Sequence, residues 1–462
     1  MSQFNDVMAV RAAVLTITTD CQLRCSYCFE EDKAHNYMSE DDAMIIIKKL
    51  CDNFRENVYI HDPTAKLDIS FFGGEPTLNF PVIKAIVEYC NEQEFIVQYG
   101  ITTNCVHITD EMIDFFYDNN FGILVSIDGT KELHNRNRSN SYDTVVANIK
   151  RMFDGGLKLN MEARITIPPK DIRYTFQSMK DMYDLGFDRI APCFVYDQEW
   201  DEEAYQQFEV EIRKIYDFAL DKYNSEERRN LQVKNIEDFI YLCYDSDTND
   251  TSPCGFGKNA WVAIGYDGEL TPCHQVHTNF RNCEVLHMGN IITDKFDRSV
   301  MDMINVQFDR STCGNCQYNN VCLGGCPAES FTNGHSFNDV NPAVCRHMDI
   351  MYHIATEYQD KILHSTNLRS RRLAILKRNL EFKQLLDTAI DHLHQNDIDV
   401  IMLDFASIQE SIFGEEKILL PPYIRLAERY IDIVSDKLLN DVVEELDKYQ
   451  AIMNGGEMNG DN

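Results

Sequence analysis

Residues 12–28, AAVLTITTDCQLRCSYC, pass from a β-branched apolar run directly into three cysteines. The run at 12–18 reads as a buried strand. Cys21, Cys25 and Cys28 follow it as C-x3-C-x2-C, so three thiols leave one loop at the strand's end. A structural zinc or an ordinary cysteine-held cluster is closed by four protein ligands, whereas three leave one metal position open to a ligand from outside. On spacing alone, a zinc site completed by a distant histidine is the competing reading.

Working outward, further strands are predicted at 67–72, 95–102, 123–127, 159–167 and 189–195, six in all with the first. Helical stretches at 39–54, with Ser39 as N-cap, and at 80–89, 110–117 and 142–153 alternate with them. Such alternation predicts a parallel sheet with right-handed crossovers, either an open doubly wound sheet or a barrel, complete or partial. In both, active groups collect at the C-terminal ends of the strands. A polar helix at 201–227 closes this region, and a turn-rich segment crowded with cysteine, 254–345, marks a second domain. Beyond about residue 350 the cysteines stop and helical periodicity returns, before a tail, NGGEMNGDN, that is expected to be disordered.

At 462 residues, with 44% hydrophobic and 26% charged side chains, the chain has ordinary globular composition and length for about three domains. No apolar run approaches the roughly 18 residues of a membrane helix, and the first residues lack the pattern of a signal peptide. With 43 basic and 75 acidic residues the net charge is −32, a field that repels a phosphate backbone and argues against nucleic acid as the main partner. Sixteen cysteines in such a chain point to metal or redox chemistry rather than a disulfide framework, and to a cytoplasmic location.

The second predicted strand ends in Phe71, Phe72, Gly73, Gly74, Glu75 and Pro76, and Tyr27 supplies an aromatic residue just before Cys28. Thr102, Thr103 and Asn104, then Ser126, Ile127, Asp128 and Gly129, stand at the ends of the next two strands. With these motifs in order, the first half of the chain resembles the radical S-adenosylmethionine (SAM) enzymes. The resemblance implies a partial (β/α)6 TIM-like barrel of the α/β class, with a 4Fe-4S cluster on Cys21, Cys25 and Cys28 whose open iron chelates SAM. It implies that Gly73, Gly74 and Glu75 serve the SAM amino group, that Thr102, Thr103 and Asn104 form the family's T-T-N element, and that Ser126 and Asp128 contact the ribose. Arg138, in HNRNRSNSYD, or Arg164, in EARITI, would reach the SAM carboxylate. The chemistry so implied is reductive cleavage of SAM to a 5′-deoxyadenosyl radical that takes a hydrogen atom from a C–H bond, under anaerobic conditions.

In the second domain Cys254, Gly268 and Cys273 are followed by Cys313, Cys316, Cys322 and Cys326 as C-x2-C-x5-C-x3-C, with Cys345 after a gap. This is similar to the SPASM domain, the auxiliary-cluster module of peptide-modifying radical SAM enzymes, with a zinc ribbon as the alternative. The resemblance divides the chain into a radical SAM barrel at 1–235, a SPASM domain at 236–350, a helical extension at 351–453 and the tail at 454–462. It assigns Cys313, Cys316, Cys322 and Cys345 to an outer auxiliary 4Fe-4S cluster and Cys254, Cys273 and Cys326 to an inner one. The inner set is one ligand short: Ala260 stands where some members have cysteine, and Cys283 is the nearest spare thiol. Without Cys283, an open iron would be left for a substrate thiolate. His274 and His277 are candidate acid/base groups, and His274 stands where the sulfatase-maturing branch has an aspartate. Cys51, Cys90, Cys105, Cys193 and Cys243 lack metal spacing and read as packed thiols.

Residues 366–386 gather six basic side chains against one acid, a reversal that would suit an acidic leader peptide, although a solvated helix face is the simpler explanation. The function the resemblance implies is a maturase that installs a cysteine thioether cross-link in a ribosomally made precursor peptide, using SAM and three 4Fe-4S clusters. Its partners would be that peptide with its leader, a low-potential donor such as ferredoxin or flavodoxin, and a separate leader-binding protein or the C-terminal helices. A formylglycine-forming sulfatase maturase and a carbon–carbon cross-linking cyclase are the alternatives of the same class. A non-catalytic zinc or iron–sulfur electron carrier is the alternative of a different one.

Overall fold

Strand alternation decides which side chains face the site and which face the helices. The computed structural model describes residues 3–30, 33–196, 198–225, 231–234, 256, 258–279, 286–307, 313, 316–318, 322, 325–334 and 340–363. Strands β1 (Ala12–Thr16), β2 (Lys66–Phe72), β3 (Ile96–Thr103), β4 (Gly122–Ser126), β5 (Met161–Ile167) and β6 (Arg189–Phe194) lie side by side in that order, all parallel. A short β7 (Gln232–Val233) adds to β6. The helices between them are α2 (Glu40–Phe54), which follows α1 (Gln3–Val7), then α3 (Phe80–Asn91), α4 (Asp110–Asp118), α5 (Lys131–Asn137), α6 (Tyr142–Asp154), α7 (Thr175–Leu185) and α8 (Glu202–Asn224). This is the mixed α/β architecture of a partial barrel, with a parallel sheet and helical crossovers.

Leu67, Ile69 and Phe71 of β2, Ile123 and Val125 of β4, and Ala163, Ile165 and Ile167 of β5 are buried on one face. Helix α2 buries Ile46, Ile47 and Leu50, and α3 buries Ile83, Ile86 and Val87; each such side chain taken from water is worth about 1.5–3 kcal/mol. The alternate positions, Ser70 and Phe72 of β2, Thr102 of β3, Ser126 of β4 and Arg164 and Thr166 of β5, are half-buried and line a cavity instead. Ser39 caps α2 as its sequence suggests, accepting from the Asp42 N–H at 3.1 Å, a contact worth about 1 kcal/mol.

Each of the six predicted strands is found, within two residues at either end. The fifth starts at Met161 rather than residue 159, because Leu157–Asn160 turns as a 3-10 helix that leaves Leu159 in solvent. The sequence reading did not mark α5, a short and mostly polar helix, nor α7, although its buried Thr175, Met179, Met182 and Tyr183 keep helical spacing.

The cysteine-rich segment joins the same sheet. Strand β8 (Trp261–Ile264) pairs in parallel with the free edge of β1, Ala12 opposite Trp261, and β9 (Glu269–Thr271), β10 (Gly289–Asn290) and β11 (Lys295–Phe296) follow in antiparallel order. The β8–β9 turn needs Gly268, whose φ of +81° few other residues adopt. Helices α9 (His274–Asn279), α10 (Ser299–Gln307), α11 (Pro327–Gly334) and α12 (Pro342–Leu363) complete the described elements.

Residues 1–360 form one compact unit; of a second, residues 361–462, positions 361–363 are described. The basic stretch at 366–386, Cys254, Cys283 and Cys243 lie outside the described residues. Among the described residues no helix is long and apolar enough to cross a membrane.

Candidate active site

The loop after β1 carries the three thiols and is pinned along its length. Thr18 bridges to Tyr37, the Thr19 N–H donates to Asn36 O at 3.0 Å, and Asn79 Nδ2 donates to both Ile17 O and Met38 O. Its middle is tied to the end of α5, since the Ser26 N–H reaches Asn137 O at 3.0 Å and the Arg24 N–H reaches Ser139 Oγ at 3.0 Å. Cys21, Cys25 and Cys28 thereby border one cavity of about 420 Å³, a size that admits a small molecule. Among the described residues no three Cys, His, Asp or Glu side chains converge at the spacing of a single metal ion. Burial pushes the Cys21 thiol up to about 11 and raises that of Cys25, against which the Arg138 charge pulls.

The turn after β2 fits against this loop so closely that side chains are excluded. The Gly74 N–H donates to Thr18 O at 2.9 Å and the Glu75 N–H to Asp20 O at 2.7 Å. A Cβ on Gly73, at φ +141°, would stand 2.2 Å from Thr18 O, and one on Gly74 would stand 2.3 Å from Asp20 O. The N–H donors of Gly74 and Glu75 are thus committed to the cysteine loop, and the turn has carbonyl oxygens to offer a ligand, as an amino group requires.

The Glu75 side chain faces away from solvent. It accepts from Thr77 Oγ1 at 2.7 Å, Thr77 N at 3.2 Å, Thr103 Oγ1 at 2.8 Å and Asn104 N at 2.7 Å. Burial raises its carboxyl above the usual range while these donors pull it back. Asn104 turns its Nδ2 towards Cys21 Sγ at 3.7 Å. Glu75 therefore joins the T-T-N element to the cysteine loop rather than standing free to meet a ligand.

Asp128 is fully buried and accepts from Arg138 Nε at 2.9 Å and from Tyr27 Oη. Arg138 also lies 5.3 Å from the centre of the Tyr27 ring and directs Nη1 towards Cys25 Sγ at 3.9 Å. Tyr27, Ser126, Arg138 and Arg164 all line the cavity. Asp128 stands behind that wall, held by Tyr27 and Arg138. Of the two nearby arginines, Arg136 pairs with Asp171 and keeps half its side chain in solvent, so Arg138 is the one that enters the site. Arg164 Nη2 lies 3.1 Å from Cys193 Sγ. Cys51, Cys90 and Cys105 are packed thiols as read from the sequence, whereas Cys193 is half-buried and partnered by a guanidinium.

From the cysteine-rich segment His274, first residue of α9, enters the same cavity, its ring centre 4.4 Å from that of Phe72 and its Nδ1 4.0 Å from Cys273 Sγ. The His277 side chain is outside the described residues. The Cys316 N–H donates to Cys313 O at 2.9 Å. Burial, then the charges of Cys313 and Cys316, push the Cys345 thiol up. Cys322 and Cys193 both act on the half-buried Tyr196, and Cys326 is half-buried just before α11.

Two further residues of the cavity wall escaped the sequence reading. Lys33 hydrogen-bonds Cys28 and feels Cys21 and Glu30, while burial pushes Glu30 up to about 7 against the pull of Lys33. Their one signal was the presence of opposite charges within five residues of Cys28.

The architecture and the motifs agree with what the chain is similar to. Residues 15–182 match the Radical SAM superfamily. The cysteine-type anaerobic sulfatase-maturating enzyme of Clostridium novyi is 24% identical over 348 residues, 70% of this chain and 89% of that protein. Among solved structures, anSMEcpe with bound AdoMet and Cp18Cys peptide superposes with a TM-score of 0.61 at 17% identity, over 80% of this chain and 99% of that one. Streptococcus suis SuiB bound to the precursor peptide SuiA gives 0.51 at 16% identity, over 74% and 77%. With three thiols at the end of the first strand and the superfamily match running from the end of that strand through the four after it, residues 15–182 are a Radical SAM domain.

Proposed function

We propose that the chain is a peptide maturase that forms a thioether between a cysteine sulfur and a carbon of a ribosomally made precursor peptide. Cys21, Cys25 and Cys28 would hold the SAM-binding 4Fe-4S cluster. Cys313, Cys316, Cys322 and Cys345 would hold an outer auxiliary cluster, and Cys254, Cys273 and Cys326 an inner one. When bound, the cluster and SAM supply a 5′-deoxyadenosyl radical. The cavity residues orient what binds there: Arg138 and Arg164 present cations suited to a carboxylate, and the Gly73–Gly74 turn presents carbonyls suited to an amine.

One observation carries the reading: Cys273 and His274 come from the cysteine-rich segment, yet His274 lines the cavity bordered by Cys21, Cys25 and Cys28. A second metal centre held by Cys273 would then lie within one residue of the cavity wall. Thioether formation suits that placement. The substrate loses one hydrogen atom from carbon to the radical, and its thiol loses a proton to a base, for which His274 is placed. As the C–S bond forms, one electron remains and must pass to an acceptor, the role proposed for the auxiliary clusters. The barrel would occupy residues 1–235, the auxiliary domain 236–350 and a helical extension 351–453, available with a separate protein for leader recognition. A cytoplasmic location and a ferredoxin or flavodoxin donor belong to the same proposal.

A second reading, oxidation of a cysteine or serine to formylglycine, is favoured by the length of the match to a sulfatase-maturating enzyme, 89% of that protein. Mass spectrometry separates the two. The reconstituted protein is incubated anaerobically with SAM, dithionite and cysteine-containing synthetic peptides. A thioether appears as loss of H2 with a thiol that no longer alkylates, whereas formylglycine appears as an aldehyde captured by a hydrazide. Equal modification of peptides without cysteine contradicts the thioether.

A further inference from the structure

Two acids, Glu75 and Glu30, line the cavity, and they differ in what satisfies them. The four hydrogen bonds to Glu75 come from the chain itself. Glu30 is only 4% exposed, and its Oε1 has no hydrogen-bond partner among the described residues. A carboxylate oxygen withdrawn from water without a donor weakens a fold, and such groups persist where something outside the chain completes them.

The surroundings of Glu30 place it where the thiol loop meets the cysteine-rich segment. The ring of the preceding residue, Phe29, stacks on Phe72 at 6.1 Å and meets His274 edge-on at 6.1 Å. Lys33 is drawn by Glu30 but gives its hydrogen bond to Cys28. Its ammonium neutralises this corner, yet no hydrogen bond from it to Oε1 is found among the described residues.

We infer that Oε1 of Glu30 accepts a hydrogen bond from an N–H or O–H group of a molecule bound in the cavity, making Glu30 a ligand-positioning residue of this enzyme. The donor is either SAM, through its amine, ribose or adenine, or the peptide residue presented to it. This inference rests on the maturase reading for the peptide source but not for the SAM source.

The test uses the full-length, reconstituted protein and two variants, Glu30→Met, which removes the acceptor, and Glu30→Gln, which keeps an oxygen there. Glu30→Met is expected to keep its iron and sulfide and to melt about 2 °C or more higher than wild type, since an unpaired buried oxygen is gone. It is expected to lose about tenfold in affinity for a donor, and Glu30→Gln is expected to recover most of that loss. Weaker binding of SAM in equilibrium dialysis identifies SAM as the source. Unchanged SAM binding, with KM raised about tenfold for a cysteine peptide that wild type turns over and kcat retained, identifies the peptide. Unchanged binding of both overturns the inference, as does loss of iron or a lower melting temperature in Glu30→Met, either of which would make the residue structural. If wild type turns over no peptide, the maturase reading fails by itself and SAM affinity alone decides the role of Glu30.

Discussion

Glu75 Oε2 accepts the backbone N–H of Asn104 at 2.7 Å, joining the turn after the second strand to the turn after the third. Replacing Glu75 by Gln keeps an oxygen for Thr77 and Thr103 but sets an amide N–H against the Asn104 N–H, at a buried position. One buried donor then has no acceptor, which costs about 1–3 kcal/mol. Thermal unfolding is expected to show a lower melting temperature, and the displaced Asn104 turn should weaken SAM binding in dialysis. A variant that melts with wild type would refute the assignment of Glu75 as a tie between strands.

Gly73 makes a sharper case. Its φ of +141° and a Cβ position 2.2 Å from Thr18 O leave no room for even a methyl group, so Gly73→Ala must push the turn away from the cysteine loop. The cost is about 1–3 kcal/mol of backbone strain or more, and iron content after reconstitution should fall with stability. Retention of full iron would show that the turn and the thiol loop position themselves independently.

Much of this was legible in the residues, and the reasons differ by region. The strands were readable because each has a face packed under helices: Leu67, Ile69 and Phe71 alternate with Asp68, Ser70 and Phe72, and period two is hard to mistake. The Cys, G-G-E, T-T-N and S-I-D-G motifs were readable because each sits where a strand ends. Division of labour among them was not. Glu75 and Asp128 look like ligand contacts in sequence, yet their partners are Thr77, Thr103 and Asn104 in one case and Tyr27 and Arg138 in the other. Such contacts join residues up to 101 positions apart, and no local pattern encodes them. The same holds for β8, whose four residues extend the barrel sheet from beyond residue 260 by pairing with β1. Cys193 read as a packed thiol because its partner, Arg164, is on the neighbouring strand.

His134 gives the fold an acid limit. It is fully buried, its Nδ1 accepting from the Asp128 N–H at 3.3 Å and its Nε2 lying 2.9 Å from Ser141 Oγ. Burial, then the Arg138 charge, push its ring down to about 3, whereas an unfolded chain holds that proton up to about pH 6.5. In that window the unfolded state binds more protons, so stability is complete above about pH 6.5 and falls as pH drops towards 3, by about 1.4 kcal/mol per unit. His134→Gln removes the titration, so urea unfolding between about pH 7.5 and 5.5 should show a gentler slope for the variant. Parallel slopes would mean that His134 takes up its proton in the folded chain over the same pH range as in the unfolded one.

The claim that Cys21, Cys25 and Cys28 hold a redox-active cluster that works on SAM is tested most directly by iron, sulfide and deoxyadenosine. Wild type and the Cys21/Cys25/Cys28→Ala variant are reconstituted anaerobically, assayed for both elements, then reduced in the presence of SAM. The account expects the variant to lose about four irons per chain, to keep those of the cysteine-rich segment, and to form no deoxyadenosine. Equal iron in both proteins, or a wild type that binds zinc and leaves SAM intact, would contradict it.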